Sequence, residues 1–248
     1  MAEHVNIEEF SGTYASAMRN VLPAGPGVCR TCKTFVAPEF TTCYSCFQQL
    51  SLLDEVVPIT YSEHLDQMHT ALRNYKDGFT ASVRSYALNR IAAILWRFLA
   101  AHETCVASAV GVAGFDLVTT VPSSTPEKDD RRGSFRAIAA WCTPIASRYE
   151  RVLRATGRVP SGRHVDLDRY TTTRRVEGAN VLLLDDTWVS GGHAQSAAGA
   201  LGRAGASKIA AVVVGRHVQP NWDVAGRKTS EIFAELPRVF DWERCAVH

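Results

Sequence analysis

Two aspartates stand side by side in the stretch VLLLDDTWVSGGHAQSAAGAL, Val181 to Leu201. Four apolar residues lead into Asp185 and Asp186, a small-residue turn follows, and an alanine-rich helical pattern comes after it. Ligands of parallel α/β sheets bind outside the carboxyl ends of the strands. An acid pair at such an edge accepts hydrogen bonds from vicinal hydroxyls in charge-assisted geometry. The turn from Thr187 through Ser190, Gly191 and Gly192 to His193 opens a helix. Its backbone amides and the positive end of the helix dipole suit an anion. A carboxylate pair beside an anion cradle fits one kind of ligand well, a ribose carrying a 5-phosphate.

Four cysteines form a second group. Cys29 and Cys32 make one CxxC, Cys43 and Cys46 another, with ten residues between them. Two such knuckles place four thiolates tetrahedrally about 2.3 Å from a zinc ion. Metal binding then supplies folding free energy to a segment too short for a core of its own. A closed four-thiolate site has no open position, so the expected zinc is structural. Arg30, Lys33, Phe35 and Tyr44 lie where they could touch nucleic acid, or simply keep the knuckle soluble. Cys105, Cys142 and Cys245, and the remaining histidines, lack metal spacing and read as inert.

The elements that must position these groups follow from periodicity. A short helix within residues 1–28 ends at PAGPG. Val56 to Tyr61 reads as a strand, Glu63 to Tyr75 as a helix stopped by Gly78, and Tyr86 to Leu99 as an amphipathic helix. FDLVTTVP reads as a buried strand, SSTPEKDDRRGS as a polar loop, and Phe135 to Tyr149 as a helix. RVLRATG suits a strand, as do NVLLLDD and SKIAAVVVGR, with a helix over Ala194–Arg203 between the last two. The tail EIFAELPRVFDW reads as β-like or irregular. Strands alternating with helices predict a mostly parallel α/β sheet flanked by helices. The expected division is residues 1–54 for the N-terminal helix and cysteine knuckle, and 55–248 for the α/β domain.

Bulk composition narrows the function classes. Hydrophobic residues make up 46% of the 248, charged residues 21%, and the net charge is 27 − 25 = +2. Such a near-neutral balance disfavours strong salt-sensitive nucleic-acid binding. No apolar run of membrane-spanning length occurs. The start MAEHVNIEEFSG lacks the pattern of a secretory signal, so a cytoplasmic protein with reduced thiols is expected. GRKTS lacks the glycine spacing of a P-loop, and neither a GxSxG elbow nor an HExxH pair occurs.

VLLLDDTWVSGG resembles the 5-phosphoribosyl 1-pyrophosphate (PRPP) motif of type I phosphoribosyltransferases. The order of the cysteine knuckle, LRNYKDG, DLVTTVP, an arginine-glycine loop and then this motif is similar to the ComF-like family. That family joins a zinc element to a phosphoribosyltransferase domain and is associated with DNA uptake. The resemblance implies a type I phosphoribosyltransferase fold, with Asp185 and Asp186 on the ribose hydroxyls and the 187–193 loop on the 5′-phosphate. It implies magnesium on the pyrophosphate and a nitrogenous acceptor. His193 departs from the threonine or serine of that motif, and RRGSF stands where the family has an RGFNQ-like stretch. The candidate pyrophosphate groups are Ser123, Ser124, Arg131 and Arg132 after FDLVTTVP. Arg169, Arg174 and Arg175 could join them from residues 158–178, a polar stretch that fits a mobile lid. Lys76 in NYKDG is explained by the helix dipole alone, with a ligand role as the alternative. Three readings stay open: a PRPP-dependent transferase, a PRPP- or nucleotide-binding regulator without chemistry, and a zinc-ribbon nucleic-acid-binding protein.

Overall fold

The computed structural model describes residues 6–131, 133–158 and 164–247. Its centre is a four-stranded parallel sheet made of β1 (Glu55–Glu63), β2 (Leu117–Thr120), β5 (Asn180–Trp188) and β6 (Lys208–Val218), in the order β1-β6-β5-β2. The two inner strands, β5 and β6, are apolar on both faces, as a sheet covered on both sides requires. Register sets Leu182 opposite Ala210 and Val118 opposite Leu182, so the apolar residues meet in rows across the sheet.

Alternation along β5 sorts the core into two layers. Leu182 and Leu184 face one layer with Ile91, Ile94, Leu95 and Phe98. These four come from α4 (Ala81–Ala109), which packs there with α3 (Gln67–Asp77) and α6 (Ser134–Trp141). Val181 and Leu183 face the other layer. It holds α7 (Gly192–Arg203), the small antiparallel pair β3 (Leu153–Ala155) and β4 (Tyr170–Thr172), and the buried Cys29 and Cys32. The cysteine segment thus shares a core with the sheet.

Local rules explain most boundaries. Asp66 caps α3 by accepting from the His69 amide at 2.6 Å, and Gly78 closes the helix. Thr80 caps α4, which extends well beyond the amphipathic stretch read from the sequence because the alanines after Leu99 continue it. Three expectations need correction. The polar loop after β2 contains a helix, α5 (Pro126–Arg131), in which Thr125 accepts from the Lys128 amide and Pro126 takes the first turn. The tail holds α8 (Thr229–Glu235), started by Glu231 accepting from the Lys228 amide and ended by Pro237. The helix expected to reach Tyr149 stops at Trp141. Pro144 interrupts it, and a 3-10 turn over Ala146–Arg148 follows. The short helix near the N-terminus, α1 (Ile7–Gly12), is capped by Asn6, and a four-residue helix, α2 (Tyr44–Phe47), lies between Cys43 and β1. No helix among the described residues is long and apolar enough to cross a membrane.

Candidate functional site

The acid pair sits at the carboxyl end of β5 and opens into a cavity of about 360 Å³. The loop after β2, the end of α3 and the turn before α7 all reach the same cavity. Thr187, Val189 and His193 line it with Asp185 and Asp186, and so do Ser123, Ser124 and Arg131. Ser190, Gly191 and Gly192 shape the turn without lining the cavity. Gly191 has φ +85°, and a Cβ there would run into the Trp188 ring, so the tight entry to α7 requires glycine. The Ser190 carbonyl accepts from Gln49 Nε2 at 2.8 Å.

The two aspartates have different surroundings. Asp186 is buried and accepts from the Tyr75 hydroxyl and from Lys76 Nζ, both at the end of α3. Asp185 is half-buried, and one of its oxygens accepts from the Asp186 amide at 2.9 Å. Burial and the neighbouring Asp186 charge push the Asp185 carboxyl up to about 8, against the pull of Lys76.

Asp129 organises the loop after β2. It is buried on α5, and its Oδ1 accepts from the Ser123 amide at 2.9 Å and from Arg136 Nη1 at 2.7 Å. Its Oδ2 accepts from Arg151 Nη2 at 2.6 Å. One carboxylate therefore ties the loop, α6 and the segment before β3 together. Lys76, Arg131 and Arg136 are the cations lining the cavity among the described residues. They stand opposite Asp129, Asp185 and Asp186, so the cavity offers donors for an anion beside carboxyl oxygens for hydroxyls.

His193 closes the wall on the α7 side. Its Nδ1 lies 2.5 Å from the Tyr170 hydroxyl, which in turn reaches the Pro122 carbonyl at 3.0 Å. Arg169 Nη1 donates to His193 Nε2 at 2.8 Å. These partners assign Nδ1 as the protonated nitrogen: His193 donates to Tyr170, Tyr170 to Pro122, and Arg169 to Nε2. Burial, with help from Arg169 and Lys76, holds the imidazole down at about 4, so it is neutral at physiological pH.

The other sequence-predicted groups lie apart. Arg174 forms a two-pronged pair with Glu150, and Arg175 pairs with Glu177, all four on the surface and outside the cavity. Arg132 lies outside the described residues, as do residues 159–163 of the expected lid. The described part of that stretch packs along α7, where the Asp166 amide donates to Ser196 Oγ at 2.9 Å and Arg203 to the Leu167 carbonyl. Arg169 is buried there with His193. Tyr75, Asp129 and Arg136 gave no signal as site residues in the sequence. Only the position of Tyr75 beside Lys76 before the helix stop could have hinted at one of them.

The sulfurs of Cys29, Cys32, Cys43 and Cys46 all lie within 4.8 Å of one another, and Cys32 and Cys43 are 3.7 Å apart. Tetrahedral coordination at about 2.3 Å puts sulfurs roughly 3.8 Å apart, so the four thiols could hold a zinc ion. The knuckle turns through the Lys33 amide donating to the Cys29 carbonyl, with Lys33 at φ +58°. Arg216, fully buried on β6, donates through Nε to the Cys32 carbonyl at 2.9 Å and through Nη2 to its sulfur at 3.3 Å. Such a cation offsets the excess negative charge of four thiolates around one dication. Lys33 is buried and paired with Glu55, and Phe35 belongs to the core. Of the four side chains that could touch nucleic acid, Arg30 and Tyr44 are exposed.

Comparison with known protein families, with curated proteins and with solved structures gives no match to this chain.

Proposed function

We propose that the chain binds PRPP and transfers its phosphoribosyl group to or from a nitrogenous acceptor. One observation carries the reading: the acid pair ending β5, the Ser123–Ser124 loop after β2 and the turn before α7 share one cavity. Its volume of about 360 Å³ falls in the range of small-ligand sites, roughly 300–1,000 Å³. Asp185 and Asp186 would accept from the ribose 2′- and 3′-hydroxyls, and the 187–193 turn would hold the 5′-phosphate. Ser123, Ser124, Arg131 and Arg136 would meet the pyrophosphate. Transfer passes through a cation-like ribose, so the residues' task is to orient the sugar, take up the leaving charge and exclude water.

Magnesium would enter with the donor. It keeps several waters and needs one or two carboxylates besides phosphate oxygens, a requirement that Asp185, the more exposed of the pair, would meet on losing its proton. When bound it supplies neutralisation of pyrophosphate charge. The thiols of the cysteine element would stay reduced and metal-bound in a cytoplasmic setting.

A second reading, a PRPP or nucleotide sensor without turnover, is favoured by His193. The imidazole stands where the resembled motif has a hydroxyl, and it is already engaged by Tyr170 and Arg169. Pyrophosphate release from PRPP and magnesium, assayed across purines, pyrimidines and simple amines, separates the two. Base-dependent release is expected for the transferase, and binding without release for the sensor.

A further inference from the structure

A second metal-competent cluster lies far from the cysteine knuckle in sequence. His102, Cys105 and Cys245 each present one ligand atom, and these atoms lie within 4.8 Å of one another. His102 and Cys105 stand three residues apart on α4, one helical turn, so their side chains share a face. Cys245 comes from the C-terminal tail, which packs on that face with Phe240 and Ala246 in the same core. We propose that His102 Nδ1, Cys105 Sγ and Cys245 Sγ bind a zinc ion that clamps the tail to α4.

Three features support a metal site. The Cys105 sulfur is 3.7 Å from His102 Nδ1. Zinc–sulfur and zinc–nitrogen bonds of about 2.3 and 2.05 Å at a tetrahedral angle set that separation at roughly 3.6 Å. His102 Nε2 lies 2.7 Å from the Trp242 carbonyl, the outer hydrogen bond that fixes the tautomer of a metal-ligating histidine and leaves Nδ1 as the lone-pair donor. The donor set also fits: two thiolates and one neutral imidazole around a dication carry no net charge, which suits a site where His102 and Cys245 are buried. Cys105 is only half-buried, so water can complete the shell.

The clamp would reinforce an anchorage that the tail already has. The tail already meets the N-terminal segment through the Asp241 amide on Asn20 Oδ1 at 2.8 Å and through Asn20 Nδ2 on the Asp241 carbonyl at 2.8 Å. A metal on α4 would fix it at a third point.

Titration of the reduced, metal-stripped full-length chain with Co(II) tests this. Two Co(II) per chain are expected. The C105S and C245S double variant should take up one and lose about a third of the thiolate-to-cobalt charge-transfer intensity, since four of six thiolates remain. One Co(II) per chain in the unaltered protein overturns the proposal, whether or not the variant folds. Two Co(II) per chain in a folded double variant overturn it as well.

Discussion

The Tyr170 hydroxyl lies 2.5 Å from His193 Nδ1. Tyr170 belongs to β4, within the stretch expected as a lid, and His193 to the first turn of α7. This contact therefore couples the 164–172 segment to the turn that borders the cavity. Arg169 engages the other imidazole nitrogen, so the ring is oriented from both sides, while burial, helped by Arg169, keeps it neutral.

His193→Ser would free Arg169 and leave the Tyr170 hydroxyl short of a partner. A stability loss of about 1–2 kcal/mol is expected from the broken buried network, with a gain in PRPP affinity from the restored hydroxyl. Urea melts and calorimetry read the two effects separately. Unchanged stability would show that the relay contributes nothing to the fold.

Asp185 gives a pH signature. Its folded-state carboxyl is raised to about 8 from an ordinary value near 3.8, so its contribution to stability is present at low pH and lost as pH rises toward 8. Asp185→Asn removes that loss. The variant should gain on the unaltered protein between pH 4 and 8, by up to roughly 6 kcal/mol over the full window. Parallel denaturation curves at several pH values check it, and a flat difference would contradict it.

His193 titrates with the opposite sense. Its folded value of about 4 lies below the ordinary 6.5, so its contribution is present above pH 6.5 and lost as pH falls through 4. The stability difference between the protein and His193→Gln should shrink on acidification over that window. Proton NMR of the imidazole resonances gives the folded value directly.

Asp129 is a structural hub. Asp129→Ala would strand Arg136, leave Arg151 with only the exposed Asp130, and release the Ser123 amide. A loss of about 3 kcal/mol is expected for removing one partner from a buried ion-pair network. Asp129→Asn should lose less, because an amide oxygen can still accept from Ser123. Equal losses would mean that the charge, not the loop contact, dominates.

The sheet was legible because β5 and β6 are continuous apolar runs, and a parallel strand buried on both faces must read that way. The acid pair was legible for the same reason: two charges can end such a run only at an edge. The α5 helix was hidden because its charged residues look like a loop, while its cap and first-turn proline act over four residues. The Asp129 hub, the Tyr170–His193 contact and the His102–Cys105–Cys245 cluster join residues far apart in sequence. Neither periodicity nor spacing reports such pairings. The helix read from the sequence ended at Leu99, so the helical face that His102 and Cys105 share went unseen as well.

The most direct test of the central claim is calorimetric titration of the zinc-loaded protein with PRPP and magnesium, beside the Asp185→Asn, Asp186→Asn double variant. Saturable binding to the unaltered chain and none to the folded double variant is the expected result. Equal binding by both, or none by either, would contradict the assignment of the acid pair to PRPP.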